Sequence, residues 1–184
     1  VILWSVDPRD WASHDAGAVL HTMAREAAVT LAQRYAYEKG VDTIVCLDGS
    51  EVLGAFLARH LAKNTLFAVN SDKNINVITP EYDSNGQLLF RDNLIPMVAG
   101  RNVLLLISTV NSGKSIRRVV ECAQYYGGRV QGIAAVFSTL EEMEGVPIYG
   151  LFTPEDIPGY ATYAPESCAM CRAGKRIDAL ANSY

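Results

Sequence analysis

Nothing in these 184 residues is long and apolar enough to cross a bilayer, because a spanning helix needs roughly 20 apolar residues in a row. Basic runs and basic–aromatic stripes are missing too, and 16 Lys and Arg against 20 Asp and Glu leave a net charge of −4. That excludes the electrostatic footprint of a nucleic-acid binder. No signal-peptide pattern is present. The protein is expected in the cytoplasm, with no nucleic acid and no membrane among its partners. Repeats and low-complexity segments are absent as well.

Histidine is scarce. His14, His21 and His60 have no nucleophile beside them in sequence, so a Ser/His/Asp arrangement cannot be argued, and each reads as structural or solvated. The four cysteines, Cys46, Cys122, Cys168 and Cys171, are too few and too unevenly placed for a disulfide framework. Cys46 and Cys122 stand in apolar strand and helix contexts, where a buried free thiol is usual. Cys168 and Cys171 form a C-x-x-C, but zinc wants four ligands and no second such pair exists. A thioredoxin-like role would need the pair at a helix start after a strand. A half-ordered turn in the tail is the plainer reading.

What is present is an ordinary core-forming composition, 49% hydrophobic and 20% charged. The size suits one domain over residues 1–184, with an N-terminal helix region to 40, a core over 41–152 and an irregular tail over 153–184. Leu20, Ala24, Ala27, Leu31 and Tyr35 share a helical face over Ala16 to Glu38, and Gly40 ends the run. Thr43 to Leu47 is a short apolar strand, followed by a helix carrying Val52, Leu53, Phe56, Leu57 and Leu61. Leu66 to Val69 reads as a strand. Ile75 to Thr79 and Leu88 to Phe90 flank Asp83-Ser84-Asn85-Gly86, and Asn-Gly between extended runs is a hairpin signal. Beyond Asn102 come another strand, a helix with Ile116, Val119, Val120 and Ala123 inward, and strands at Val130 to Phe137 and Ile148 to Phe152. Alternating strands and helices predict an α/β fold, a parallel sheet flanked by helices on both faces.

Two strand ends carry polar turns. At the end of Asn102 to Ser115, a small, hydroxyl-rich turn containing Gly113 opens a helix, so backbone N–H groups and a helix dipole converge where a phosphate would sit. The pattern departs from the P-loop G-x-x-x-x-G-K-[ST], because the first Gly would fall at Ser108. The other turn is Asp48-Gly49-Ser50, with Ser50 and Glu51 opening the next helix. An ordinary tight turn with a Ser N-cap would look the same.

Together these residues resemble the type I phosphoribosyltransferases, in their orotate phosphoribosyltransferase-like subgroup. Val103 to Leu106 match the apolar strand of that family's signature, and Thr109, Val110, Asn111, Ser112, Gly113, Lys114 and Ser115 match the loop that holds the 5′-phosphate of phosphoribosyl pyrophosphate (PRPP). Further echoes are Val77 to Tyr82, Tyr125-Tyr126-Gly127-Gly128, the Cys168-x-x-Cys171 tail and Ile177 to Leu180, so the resemblance runs over residues 15 to 184. It implies the phosphoribosyltransferase type I fold, with a β-hairpin lid over Asn76 to Asn93. It also implies diphosphate contacts from Asp48, Gly49, Ser50, Glu51 and Lys73, Mg²⁺ brought with PRPP, transfer to orotate or a related base, and a homodimer. Arg91 is the one basic residue of that lid. The family's acidic pair, which grips the ribose hydroxyls, is replaced by Ile107 and Ser108. The substitution leaves open a non-catalytic module that binds PRPP or a nucleotide 5′-phosphate.

Overall fold

A computed structural model describes residues 16–35, 40–47, 49–63, 69–163 and 165–176. Helix α1 (Ala16–Tyr35) buries Ala28, Leu31, Ala32 and Tyr35, a stripe at the spacing of one helical face. Leu31 and Tyr35 are where the sequence placed them. The rest of the stripe is rotated one residue, with Ala28 and Ala32 buried while Ala24 and Ala27 are half-buried. Strand β1 (Thr43–Cys46) leads to helix α2 (Glu51–Leu61), which buries Leu53, Gly54, Leu57 and Leu61. Val52, expected inward, is 53% exposed, because it falls on the solvent side of that face. Gly54 lies against the Cys46 thiol, so the missing side chain lets α2 close on the sheet.

Strand β2 (Asn76–Ile78) joins the edge of the main sheet, parallel to β1 with Ile44 opposite Val77. This corrects the expected hairpin, whose first arm is instead strand β3 (Glu81–Tyr82), antiparallel to β4 (Leu88–Leu89). Pro80 follows β2 closely and has no N–H for a ladder, which separates the two short strands. The Asn-Gly signal itself holds. Asp83 accepts the N–H groups of Asn85 and Gln87, each at 2.8 Å, and Gly86 takes φ +74°. Of the strand expected over Leu66 to Val69, residues 66–68 lie outside the described residues, and Val69 is in a turn.

Strand β5 (Asn102–Val110) is followed by helix α3 (Lys114–Tyr125), then β6 (Arg129–Ser138), β7 (Glu142–Met143) and β8 (Val146–Phe152). The six-stranded sheet runs β2-β1-β5-β6-β8-β7, parallel except for β7. Strand β7 is too short for periodicity to reveal, and Gly145 at φ +79° makes the turn that sends it back. Alternate residues of β5 serve opposite layers. Val103, Leu105 and Ile107 pack with Ile116, Val119 and Val120 of α3, while Leu104 and Leu106 pack with Leu31 of α1 and Leu57 of α2. A strand buried on both faces reads as an unbroken apolar run, as this one does. The α/β class and the two-sided helical cover are as expected, and among the described residues the tail adds one short α-helix, α4 (Ala169–Arg172).

Candidate functional site

The chain leaves β1 for β2 on one side and enters β5 on the other, so the strand order reverses between β1 and β5. Helix α2 leaves β1 towards one layer and α3 leaves β5 towards the opposite one. Connections that diverge in this way open a crevice beyond the carboxyl ends of the strands, the usual ligand position in such sheets.

Residues 107 and 109–116 line a shallow cavity of about 210 Å³ there. Gly113 stands just before α3 at φ +74°, in the left-handed region that suits glycine. Its carbonyl accepts the Arg117 N–H at 2.9 Å, the first turn of the helix. No side chain caps the start of α3, so the N–H groups of its first turn point into the cavity mouth. The loop is held from behind. Thr139 donates its hydroxyl to the Asn111 carbonyl at 2.7 Å and its N–H to the Val110 carbonyl at 3.0 Å. Met143 and Leu140 crowd the face of Gly113, and Arg117 reaches Glu144 at 3.0 Å. Ser112, Lys114 and Ser115 are exposed. A rigid loop with open N–H groups, hydroxyls and a lysine suits one phosphate group.

Strand β5 reaches the cavity with Ile107, 2% exposed, while half-buried Ser108 lies on the opposite face of the sheet and does not line it. A hydrocarbon therefore stands on the side where the resemblance implied a carboxylate. Neither residue offers Mg²⁺ an anionic ligand, and no cluster of three or more His, Cys, Asp or Glu able to hold a metal occurs among the described residues. The donor set on β5 does not fit Mg²⁺.

The second turn shares this end of the sheet. Gly49 takes φ +75°, and Ser50 is buried with its hydroxyl committed on both sides, accepting from the Leu47 N–H and donating to the Leu106 carbonyl, each at 3.1 Å. Ser50 is a structural tie, with no donor free for a diphosphate. Glu51 opens α2 and accepts from the Thr79 hydroxyl at 3.1 Å. Asp48 lies outside the described residues.

Lys73 is at the other end of the molecule. Its ammonium is 3.5 Å from Asp42, which precedes β1 and accepts the Asn102 N–H at the start of β5 at 2.9 Å. The ion pair ties the amino ends of the strands together, and the structure does not bring Lys73 to the crevice. Arg91 is also committed, 2.6 Å from Glu81 across the base of the hairpin. That pair holds the Glu81 carboxyl below the usual range, first through the Arg91 hydrogen bond. The hairpin itself is fixed to α3 by the Cys122 thiol, 3.4 Å from the Leu88 carbonyl, and by Phe90 edge-on to Tyr126 at 5.4 Å.

Sequence reasoning missed one element of this end. Phe137 on β6 is the register partner of Thr109, and Tyr160 packs on its ring at 4.8 Å. The Tyr160 hydroxyl is buried without a hydrogen-bond partner. Only aromatic character in the tail hinted at it.

Parallel sheet, switch-point crevice and an uncapped helix start together define an open α/β protein, the architecture that the resemblance to the type I phosphoribosyltransferases implied. No family model matches the chain. It is similar to the orotate phosphoribosyltransferase of Thermus thermophilus, 27% identical over 166 residues, 89% of this chain and 81% of that protein. It is also similar to the orotate phosphoribosyltransferase of Chlorobium phaeobacteroides, 26% identical over 145 residues, 77% of this chain and 66% of the relative, a little under two thirds of its length. Among solved structures, the L. donovani hypoxanthine-guanine phosphoribosyltransferase aligns at 17% identity and a TM-score of 0.47, over 73% of this chain and 79% of that one.

Proposed function

We propose that the protein binds PRPP by its 5′-phosphate at the loop Thr109 to Ser115 and transfers the phosphoribosyl group to a nitrogenous base, orotate or a close relative. The loop carries the reading, since its open N–H groups and Lys114 stand at the switch point of the sheet. The base would lie towards Phe137 and Tyr160, whose unpartnered hydroxyl could bond a ring nitrogen or carbonyl. The relatives' names support the acceptor.

Ile107 favours a second reading, in which the site holds PRPP or a nucleotide 5′-phosphate without turnover. Transfer develops positive charge on the ribose carbon, and a nearby carboxylate stabilises it where a hydrocarbon does not. Losing hydrogen bonds to charged groups costs about 1.5–3 kcal/mol each.

Calorimetric titration with PRPP and with ribose 5-phosphate, each with and without Mg²⁺, separates the readings. PRPP binding that strengthens with Mg²⁺ and exceeds that of ribose 5-phosphate supports the transferase, and transfer to orotate is then assayed directly. Equal, Mg²⁺-independent binding of both supports the non-catalytic module. Failure of both to bind would sink both readings.

A further inference from the structure

The C-x-x-C of the tail is not used by the phosphate site. Cys168 precedes α4 and Cys171 lies within it, so one tight turn brings both sulfurs together. The Cys171 N–H reaches the Cys168 sulfur at 3.4 Å. Cys168 is half-buried and Cys171 exposed, so solution reagents reach both. No third metal-ligating side chain joins them among the described residues, which leaves the sulfurs to each other. Arg172 folds back along the turn, its guanidinium 3.2 Å from the Ser167 carbonyl, and Lys175 and Arg176 follow.

From this arrangement we propose that Cys168 and Cys171 are a redox-active dithiol that closes reversibly to a disulfide by exchange with a low-molecular-weight disulfide. The Cys168 thiolate attacks one sulfur of the small disulfide, that S–S bond breaks, and the first thiolate leaves. The Cys171 thiolate then attacks the Cys168 sulfur and expels the second. The two protein thiols lose two electrons and two protons, and the small disulfide becomes two thiols.

The local contacts assign the roles. The Cys168 thiol is held below its ordinary range, first by the Cys171 N–H and then by the Cys171 thiol, with Arg172 adding a smaller contribution. Cys171 is raised because its thiol donates to Cys168. Cys168 is therefore the attacking sulfur and Cys171 the resolving one. Cys46 and Cys122 do not compete, since burial pushes their thiols up to about 12 and about 11.

The test uses the full reduced chain, equilibrated at neutral pH with mixtures of reduced and oxidised glutathione, trapped by alkylation and read by mass spectrometry of the tail peptide. The expected result is a single dithiol-to-disulfide transition confined to Cys168 and Cys171, with Cys46 and Cys122 unmodified. Cys171→Ser should accumulate a glutathione adduct on Cys168, because the resolving sulfur is gone. Absence of the internal disulfide at every glutathione ratio would overturn the proposal, as would failure of Cys171→Ser to hold an adduct on Cys168.

Discussion

The Ser50 hydroxyl donates to the Leu106 carbonyl at 3.1 Å, tying the turn after β1 to the neighbouring strand β5 one residue before Ile107. The same oxygen accepts the Leu47 N–H at 3.1 Å, so a single side chain closes its own turn and sets the spacing of the two strand ends. Ser50→Ala removes both bonds, although the Leu47 N–H keeps the Leu106 carbonyl at 2.9 Å. The expected loss is about 1 kcal/mol, seen as a fall of roughly 2–4 °C in Tm. An unchanged melting curve would show that the tie is not needed.

Gly113→Ala should be more severe. Its φ of +74° disfavours a side chain, and a Cβ there would overlap Met143. Left-handed backbone alone costs about 1–2 kcal/mol. The double variant Gly113→Ala with Met143→Ala relieves the overlap and leaves the backbone cost. Thermal melts and phosphate titration of both should place the double variant between parent and single. No difference between single and double would remove Met143 from the account.

The two positions of the missing acidic pair should respond differently. Ile107 is 2% exposed inside the layer against α3, so Ile107→Asp buries a carboxyl among hydrocarbons. An unpaired buried charge costs several kcal/mol. Half-buried Ser108 should accept Asp with little loss. If the ribose position is otherwise intact, PRPP with Mg²⁺ should stabilise the Ile107→Asp/Ser108→Asp variant more than it stabilises the parent. Equal ligand-induced shifts in Tm would show that the carboxylates are not what limits the site.

Alkaline titration should report Cys46. Burial raises its thiol to about 12 in the folded protein, against an ordinary value of about 9. The unfolded chain therefore releases its proton first as pH rises, so stability falls between those values and is unaffected below them. Tyr35, raised chiefly by burial, adds to the same fall as its phenol ionises in the unfolded chain. Urea denaturation from pH 8 to 11 should give a shallower fall in Cys46→Ala than in the parent, each measured against its own stability at pH 8. Parallel curves would refute the assignment.

The layers and the polar turn that opens α3 were legible in the chain alone. The unbroken apolar run Val103 to Leu106 reads as a strand covered on both faces, and the turn Asn111 to Ser115 before an amphipathic helix is fixed by local chemistry. The Asp83 to Gly86 turn was legible for the same reason. Tertiary structure decided what depends on distant partners. Residues 76–78 read as a hairpin arm until β1 offers a parallel neighbour. Lys73 stands five residues from Ile78 in the chain, yet its ammonium pairs with Asp42 at the opposite end of the sheet from the Asn111 to Ser115 turn. Ser50 looks like a free hydroxyl until the Leu106 carbonyl arrives beside it. Local periodicity sets an element and its buried face, whereas the end of the sheet a side chain serves, and whether its polar atoms remain free, follow from pairings between segments far apart in the chain.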